Sequence, residues 1–302
     1  MSDVSPWGPP VLAVVLSEFG RDAALRFCAT LAELERRRIV ELGGSPFFDE
    51  YRRMTLALVG DLPYVKAPTL ARYRERRERL DERVLVGFPG GLPLEQVTPR
   101  LGLLALEAMR GPVARGVERV LVLLPCNTLA AASRRMAARF ASEASLAALI
   151  EEALPDRPAL ARELRAGCGA LLERVELSFP TVPSAVVRAV EQTGGDALMP
   201  LGTVGVVETY RAALRRCDSR LEPVPPDEAG QQAVLRAIQA SISGDAARRS
   251  EARSALEQLV ARARAEHGEG ITVVEACTDL DYNVGLDSAA AYAASVVDRV
   301  YG

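Results

Sequence analysis

Two cysteines in this sequence stand where a thiol could do chemistry. Cys126 follows the apolar run Val120-Leu121-Val122-Leu123-Leu124 and Pro125, and it precedes Asn127, Thr128 and a helical pattern. Cys277 follows Ile271-Thr272-Val273-Val274-Glu275-Ala276 and precedes Thr278 and Asp279. Ligands of open α/β sheets bind beyond the carboxyl ends of strands, where the next helix presents unpaired N–H groups suited to a carboxylate. The same place lowers the pKa of a thiol. Taken singly, the Cys126 motif is read first as a small buried cysteine beside capping residues, since Asn127 and Thr128 are natural N-caps. Taken together, two thiols facing one another across a cleft would serve as base and acid on opposite faces of one carbon.

Other chemistries find less support. His267 is the only histidine, so any site built on two is excluded, and its polar segment reads as a surface helix end where the protonated ring would favour the dipole. Neither Cys126 nor Cys277 has a partner at C-x2-C spacing, so no metal is expected. Five cysteines without framework spacing point to reduced thiols in a cytosol, and Cys28, Cys168 and Cys217, lying in or beside helical patterns, read as structural. A net charge of −3 gives no general attraction to phosphate backbones, so nucleic acid is not an expected partner. The apolar run at 10–16 is too short to span a bilayer or form a signal core, so no membrane association is expected and the cytoplasm is the expected location.

The elements that would position the two cysteines follow an alternating pattern. Val- and Leu-rich runs at 11–16, 55–59, 83–87, 119–124, 175–179, 197–201, 221–224 and 271–276 read as buried parallel strands. Helical patterns at 21–42, 69–81, 94–115, 129–141, 184–192, 206–216, 227–243, 246–266 and 288–301 separate most of them and are long enough for parallel crossovers. Between 141 and 174 an Ala/Leu/Glu/Arg-rich stretch, broken at Leu154-Pro155-Asp156-Arg157-Pro158, reads as a helical hairpin. The expected architecture is α/β, two pseudo-symmetric doubly wound domains with parallel sheets. The first spans 1–142, carries Cys126 and is completed by the C-terminal helix 288–302; the hairpin is inserted at 143–173; the second spans 174–287 and carries Cys277. Each cysteine then sits at the end of the last strand of its half.

Pro-Cys-Asn-Thr at 125–128 and Cys-Thr-Asp at 277–279 resemble the paired cysteine motifs of the aspartate/glutamate racemase superfamily. Leu201-Gly202-Thr203-Val204-Gly205-Val206 is similar to the Gly-Thr-x-Gly-Thr-Val segment of aspartate racemases, with Val206 in place of the second Thr; two glycines at a strand-to-helix turn would also explain it. Lys66, the only lysine, falls roughly where aspartate racemases place an arginine that grips the side-chain carboxylate, although a solvated surface lysine is an equal explanation. Two departures bear on substrate. The first strand leads into Leu16-Ser17-Glu18-Phe19-Gly20 rather than a Gly-rich or Asp-Ser-Gly segment, and Asp279 stands where Glu is common. The resemblance runs from 11 to 301 and is interrupted near 67–90 and 143–172, additions suited to a lid, a dimer contact or a docking surface.

The resemblance implies an interdomain active site and a racemase or epimerase that needs neither pyridoxal phosphate nor metal. It would act on the carbon α to a carboxylate of a small amino acid or diacid. Cys126 and Cys277 would be the catalytic thiols; Asn127, Thr128 and Thr278 would bind the α-carboxylate, with Thr203 and Lys66 as further substrate contacts. The expected partners are a small carboxylate substrate and a second copy in a homodimer. The alternatives are a cysteine-dependent cis–trans isomerase or decarboxylase of a small diacid, and a non-catalytic binding protein derived from this fold.

Overall fold

The computed structural model describes residues 9–17, 21–45, 52–60, 94–203 and 205–302. Lys66, the expected strand at 83–87 and the expected helix at 69–81 lie outside these residues.

The apolar runs form two parallel sheets. β1 (Val11–Leu16) is buried at every position, as a strand covered on both faces must be. It joins β2 (Met54–Val59), β3 (Arg119–Leu123) and β4 (Glu176–Ser178) in the order β2-β1-β3-β4. The second sheet contains β5 (Ala197–Leu201), β6 (Glu222–Pro223), β7 (Ile271–Glu275) and β8 (Leu286–Asp287) in the order β6-β5-β7-β8. All pairings are parallel. The two sheets share one strand order, which makes β3 and β7 equivalent.

Eleven helices are seen among the described residues, and alternation along the strands decides where they pack. Leu12, Val14, Leu16, Val120, Val122 and Leu124 face one core together with α2 (Leu94–Ala114), α3 (Ala130–Arg139), α4 (Glu143–Ala153), α5 (Pro158–Arg165) and α6 (Cys168–Arg174). Val11, Ala13, Val15, Leu121 and Leu123 face a second core that also contains Leu198 and Val274 of the other sheet. Its helices are α1 (Arg21–Glu41), α7 (Val182–Gln192), α8 (Val206–Cys217) and α11 (Ser288–Tyr301). The outer face of the second sheet is covered by α9 (Glu228–Ser243) and α10 (Ala246–His267). The central core is thus shared by both sheets.

Several boundaries differ from the expectation. The strand at 175–179, assigned to the second half, pairs through β4 with β3 and belongs to the first sheet, and Leu124 bridges to Thr181 just beyond it. The inserted hairpin is three helices, α4 to α6, because Leu146, Leu149, Ile150, Leu154, Ala161, Leu164 and Leu171 all reach the first core. Neither cysteine follows the last strand of its sheet: β4 lies beyond β3, and β8, too short to show a pattern, lies beyond β7. Pro200 sits inside the central strand β5 at no cost to the ladder. The carbonyls of Asp196 and Leu198 face β6 and that of Leu201 faces β7, so Pro200 faces the β6 side, past the point where β6 pairing ends.

Candidate functional site

Cys126 lies two residues beyond Leu124, in a tight turn where its own N–H donates to the Leu124 carbonyl at 2.8 Å. The turn runs into α3, whose N-cap is Leu129 with no side-chain cap, so Asn127 and Thr128 are not spent on capping. The Thr128 hydroxyl lies 3.0 Å from the Cys126 sulfur. Burial pushes the Cys126 thiol above its ordinary range; the Thr128 hydroxyl and the backbone N–H groups of Leu129 and Thr128 pull it back, and the charge of Asp279 pushes it up again. That last influence is informative, because Asp279 stands two residues beyond Cys277. The loop carrying the second cysteine therefore lies close enough to the first thiol for its carboxylate to act on it.

Cys277 stands two residues after β7, where Cys126 stands three after β3, and each cysteine carbonyl accepts from the N–H three residues on. Ala276 N–H donates to the Leu201 carbonyl at 2.7 Å, and Leu280 N–H to the Cys277 carbonyl at 2.9 Å. Thr278 is half-buried, and its carbonyl accepts from Arg26 of α1 at 2.7 Å. Thr203 is also half-buried, in the turn after β5. Gly202 in that turn is required by close approach: a Cβ there would come within 3.0 Å of the Ala276 carbonyl, so the Thr203 turn is pressed against the segment entering Cys277. Gly205, at φ 93°, caps α8 in the left-handed region. Val206, where the resemblance has Thr, is fully buried in the central core and packs rather than binds.

Asn127 has a different setting from the one expected. It is 2% exposed; its Oδ1 accepts from Tyr210 of α8 at 2.8 Å and its Nδ2 donates to Ser288 of α11 at 3.1 Å. Two ends of its amide are thus committed inside the protein.

Sequence reasoning missed a set of residues that fix the Cys277 loop. Glu275, 3% exposed at the end of β7, accepts from Val284 N–H at 2.9 Å, and burial pushes its carboxyl up while the Val284 and Tyr282 N–H groups pull it down. Asp281 accepts from Ser241 at 3.1 Å and from Arg249 at 2.8 Å, and lies 3.5 Å from Arg26. The Tyr282 hydroxyl donates to Ala237 O, and Arg253 donates to Tyr282 O. The only available signal was an acidic residue ending an otherwise apolar strand.

The remaining cysteines sit elsewhere. Cys168 is 1% exposed and donates to the Leu164 carbonyl, while Cys28 and Cys217 pack against the central core. His267 ends α10 before Gly268. Among the described residues no helix is long and apolar enough to cross a membrane, and no three His, Cys, Asp or Glu side chains cluster to hold a metal ion.

Two parallel sheets of the same strand order have counterparts among solved structures. A proposed Asp/Glu racemase from Yersinia pestis superposes over 97% of this chain and 100% of its own, with 15% identity and a TM-score of 0.55. An aspartate racemase homologue from Pyrococcus horikoshii OT3 matches over 96% of this chain and 99% of its own, with 13% identity and a TM-score of 0.52. Picrophilus torridus aspartate racemase matches over 96% and 94%, with 17% identity and a TM-score of 0.50. The chain has the Asp/Glu racemase fold. No family model matches it, and no curated protein matches it by sequence.

Proposed function

We propose that the protein is a cofactor-independent racemase or epimerase acting at the carbon α to a carboxylate in a small amino acid or diacid. One observation carries the reading: Cys126 and Cys277 each follow the carboxyl end of the third strand of a sheet, β3 and β7, in two sheets of the same strand order.

An α-proton beside a carboxylate is very weakly acidic, so the site must both activate a base and meet the enolate charge with oriented donors. The Thr128 hydroxyl lies 3.0 Å from the Cys126 sulfur and, with the nearby N–H groups of Thr128 and Leu129, favours its thiolate against the cost of burial. That thiolate removes the proton from one face, and the thiol of Cys277 donates one to the other. In the opposite direction the roles exchange. The Thr278 and Thr203 hydroxyls and the second amide hydrogen of Asn127 are the donors this reading assigns to the carboxylate.

The test is α-deuterium wash-in from each enantiomer of a panel of amino acids and diacids in deuterated water. For the substrate that exchanges, Cys126→Ser and Cys277→Ser should each lower racemisation by at least about 100-fold, since each removes one acid/base partner. Each should retain exchange from only one enantiomer, and the two should differ in which. Racemisation at the wild-type rate in either variant overturns the two-thiol reading. Alkylation of both cysteines that small dicarboxylates fail to slow would argue instead for a protein that has lost the site.

A further inference from the structure

We propose that a buried chain of hydrogen bonds from Tyr210 through Asn127 and Ser288 to the Glu275 carbonyl sets the separation of the two cysteine turns. Tyr210, Asn127 and Ser288 are then positioning residues. The inference rests on the two-thiol reading, and it gives Asn127 a bridging role beside the carboxylate contact assigned to its second amide hydrogen.

The bonds run in one direction. The Tyr210 hydroxyl donates to Asn127 Oδ1 at 2.8 Å, Asn127 Nδ2 donates to Ser288 Oγ at 3.1 Å, and Ser288 Oγ donates to Glu275 O at 2.7 Å. Burial holds the Tyr210 phenol far above its ordinary pKa, so it stays a donor, and this orients the amide. The serine hydroxyl has one hydrogen and gives it to Glu275, so it can only accept from Asn127. Tyr210 is fully buried, Asn127 is 2% exposed and Ser288 is 3% exposed, so a broken link finds little water to replace it.

The path matters more than the bonds. It starts on α8, against the second sheet; it crosses to Asn127, next to Cys126; and it returns through the first residue of α11 to the end of β7, two residues before Cys277. Ser288 is itself fixed: Asp287 pairs in register with Glu275 and caps α11 by accepting from Ala289 and Ala290 at 2.8 and 3.2 Å. Turning Asn127 toward a ligand would break two buried bonds at once. A base and an acid that must reach opposite faces of one small carbon tolerate little error in their spacing, and this chain is a buried polar connection between the two turns.

The experiment uses the full-length protein and dibromobimane, which bridges two thiols only at short range, with peptide mapping to identify the 126–277 product. Single alkylation of each cysteine by iodoacetamide is the reference. The wild type should bridge. In Tyr210→Phe and Ser288→Ala the bridged yield should fall about fivefold while single labelling of Cys126 and Cys277 continues, and Ser288→Thr should restore it. Unchanged bridging in both variants overturns the relay and leaves the two-thiol reading standing. No bridging in the wild type overturns both. New labelling of buried Cys168 in the variants would mean general loosening and also counts against a positioning role. Tyr210→Phe keeps the ring and serves alone if Ser288→Ala does not fold.

Discussion

At Cys126 burial and hydrogen bonding oppose one another, and the balance can be moved from either side. Thr128 offers a hydroxyl 3.0 Å from the sulfur that favours the thiolate, and Asp279 supplies a charge that opposes it. Alkylation follows the thiolate, so its rate rises as pH passes the thiol pKa. Thr128→Val removes a stabilising donor and should move the Cys126 alkylation profile to higher pH. Asp279→Asn removes a repelling charge and should move it to lower pH. Rates followed by mass spectrometry between pH 6 and 11 decide both. Coincident profiles for Asp279→Asn and wild type would remove the evidence that the Cys277 turn acts on Cys126.

Between β7 and β8 the chain forms a loop whose backbone is held by side chains rather than by a ladder. Glu275 is the centre of it, a buried acid clasping the N–H groups of Val284 and Tyr282. Its folded pKa is raised, so the folded state binds this proton more tightly than the unfolded chain does. The resulting stability is full below the ordinary glutamate pKa and is lost as pH rises through the raised folded value. Glu275→Gln keeps an acceptor without a charge, so its thermal midpoint should fall less than that of the wild type across this window. Glu35 of α1, raised in the same way by burial and accepting from the Tyr301 hydroxyl, retains its own share of the slope. Glu275→Leu orphans buried N–H groups and should cost about 1–3 kcal/mol at any pH. Melting curves of both variants at several pH values are the measurement.

Across the whole molecule, the central core decides how the halves behave. Leu198 and Val274 of the second sheet share it with Val15 and Leu123 of the first, and α11 carries the chain from β8 back over α1 and α7. The halves therefore should not unfold separately. Denaturant titration should give one transition by both far-ultraviolet dichroism and tyrosine fluorescence, and a fragment of 180–302 alone should not fold. Two resolved transitions would show that the shared core is too weak to couple them. The inserted helices are part of the same unit: Leu149 is fully buried, and a Cβ on Gly102 of α2 would come within 2.5 Å of it. Leu149→Ala should cost about 2–5 kcal/mol, and deleting 144–170 should abolish the fold rather than trim it.

The sequence by itself determined the strands β1, β3, β5 and β7, most helices, the two cysteine turns and the structural standing of Cys28, Cys168 and Cys217. Each of these is written in local pattern: an apolar run, a helical period, a Cys with its polar neighbours. What tertiary structure decided was pairing. The strand at 175–179 was legible but its place beside β3 was not, and β8, two residues long and too short for any period, exists because β7 offers a ladder. The hairpin gave way to three helices because the uncovered face of the first sheet had apolar surface to bury. The bridge that Asn127 makes beside Cys126 was not legible, because its partners, Tyr210 and Ser288, lie far along the chain. No local signal records a hydrogen bond between such distant residues; it forms only when packing excludes water from both of them.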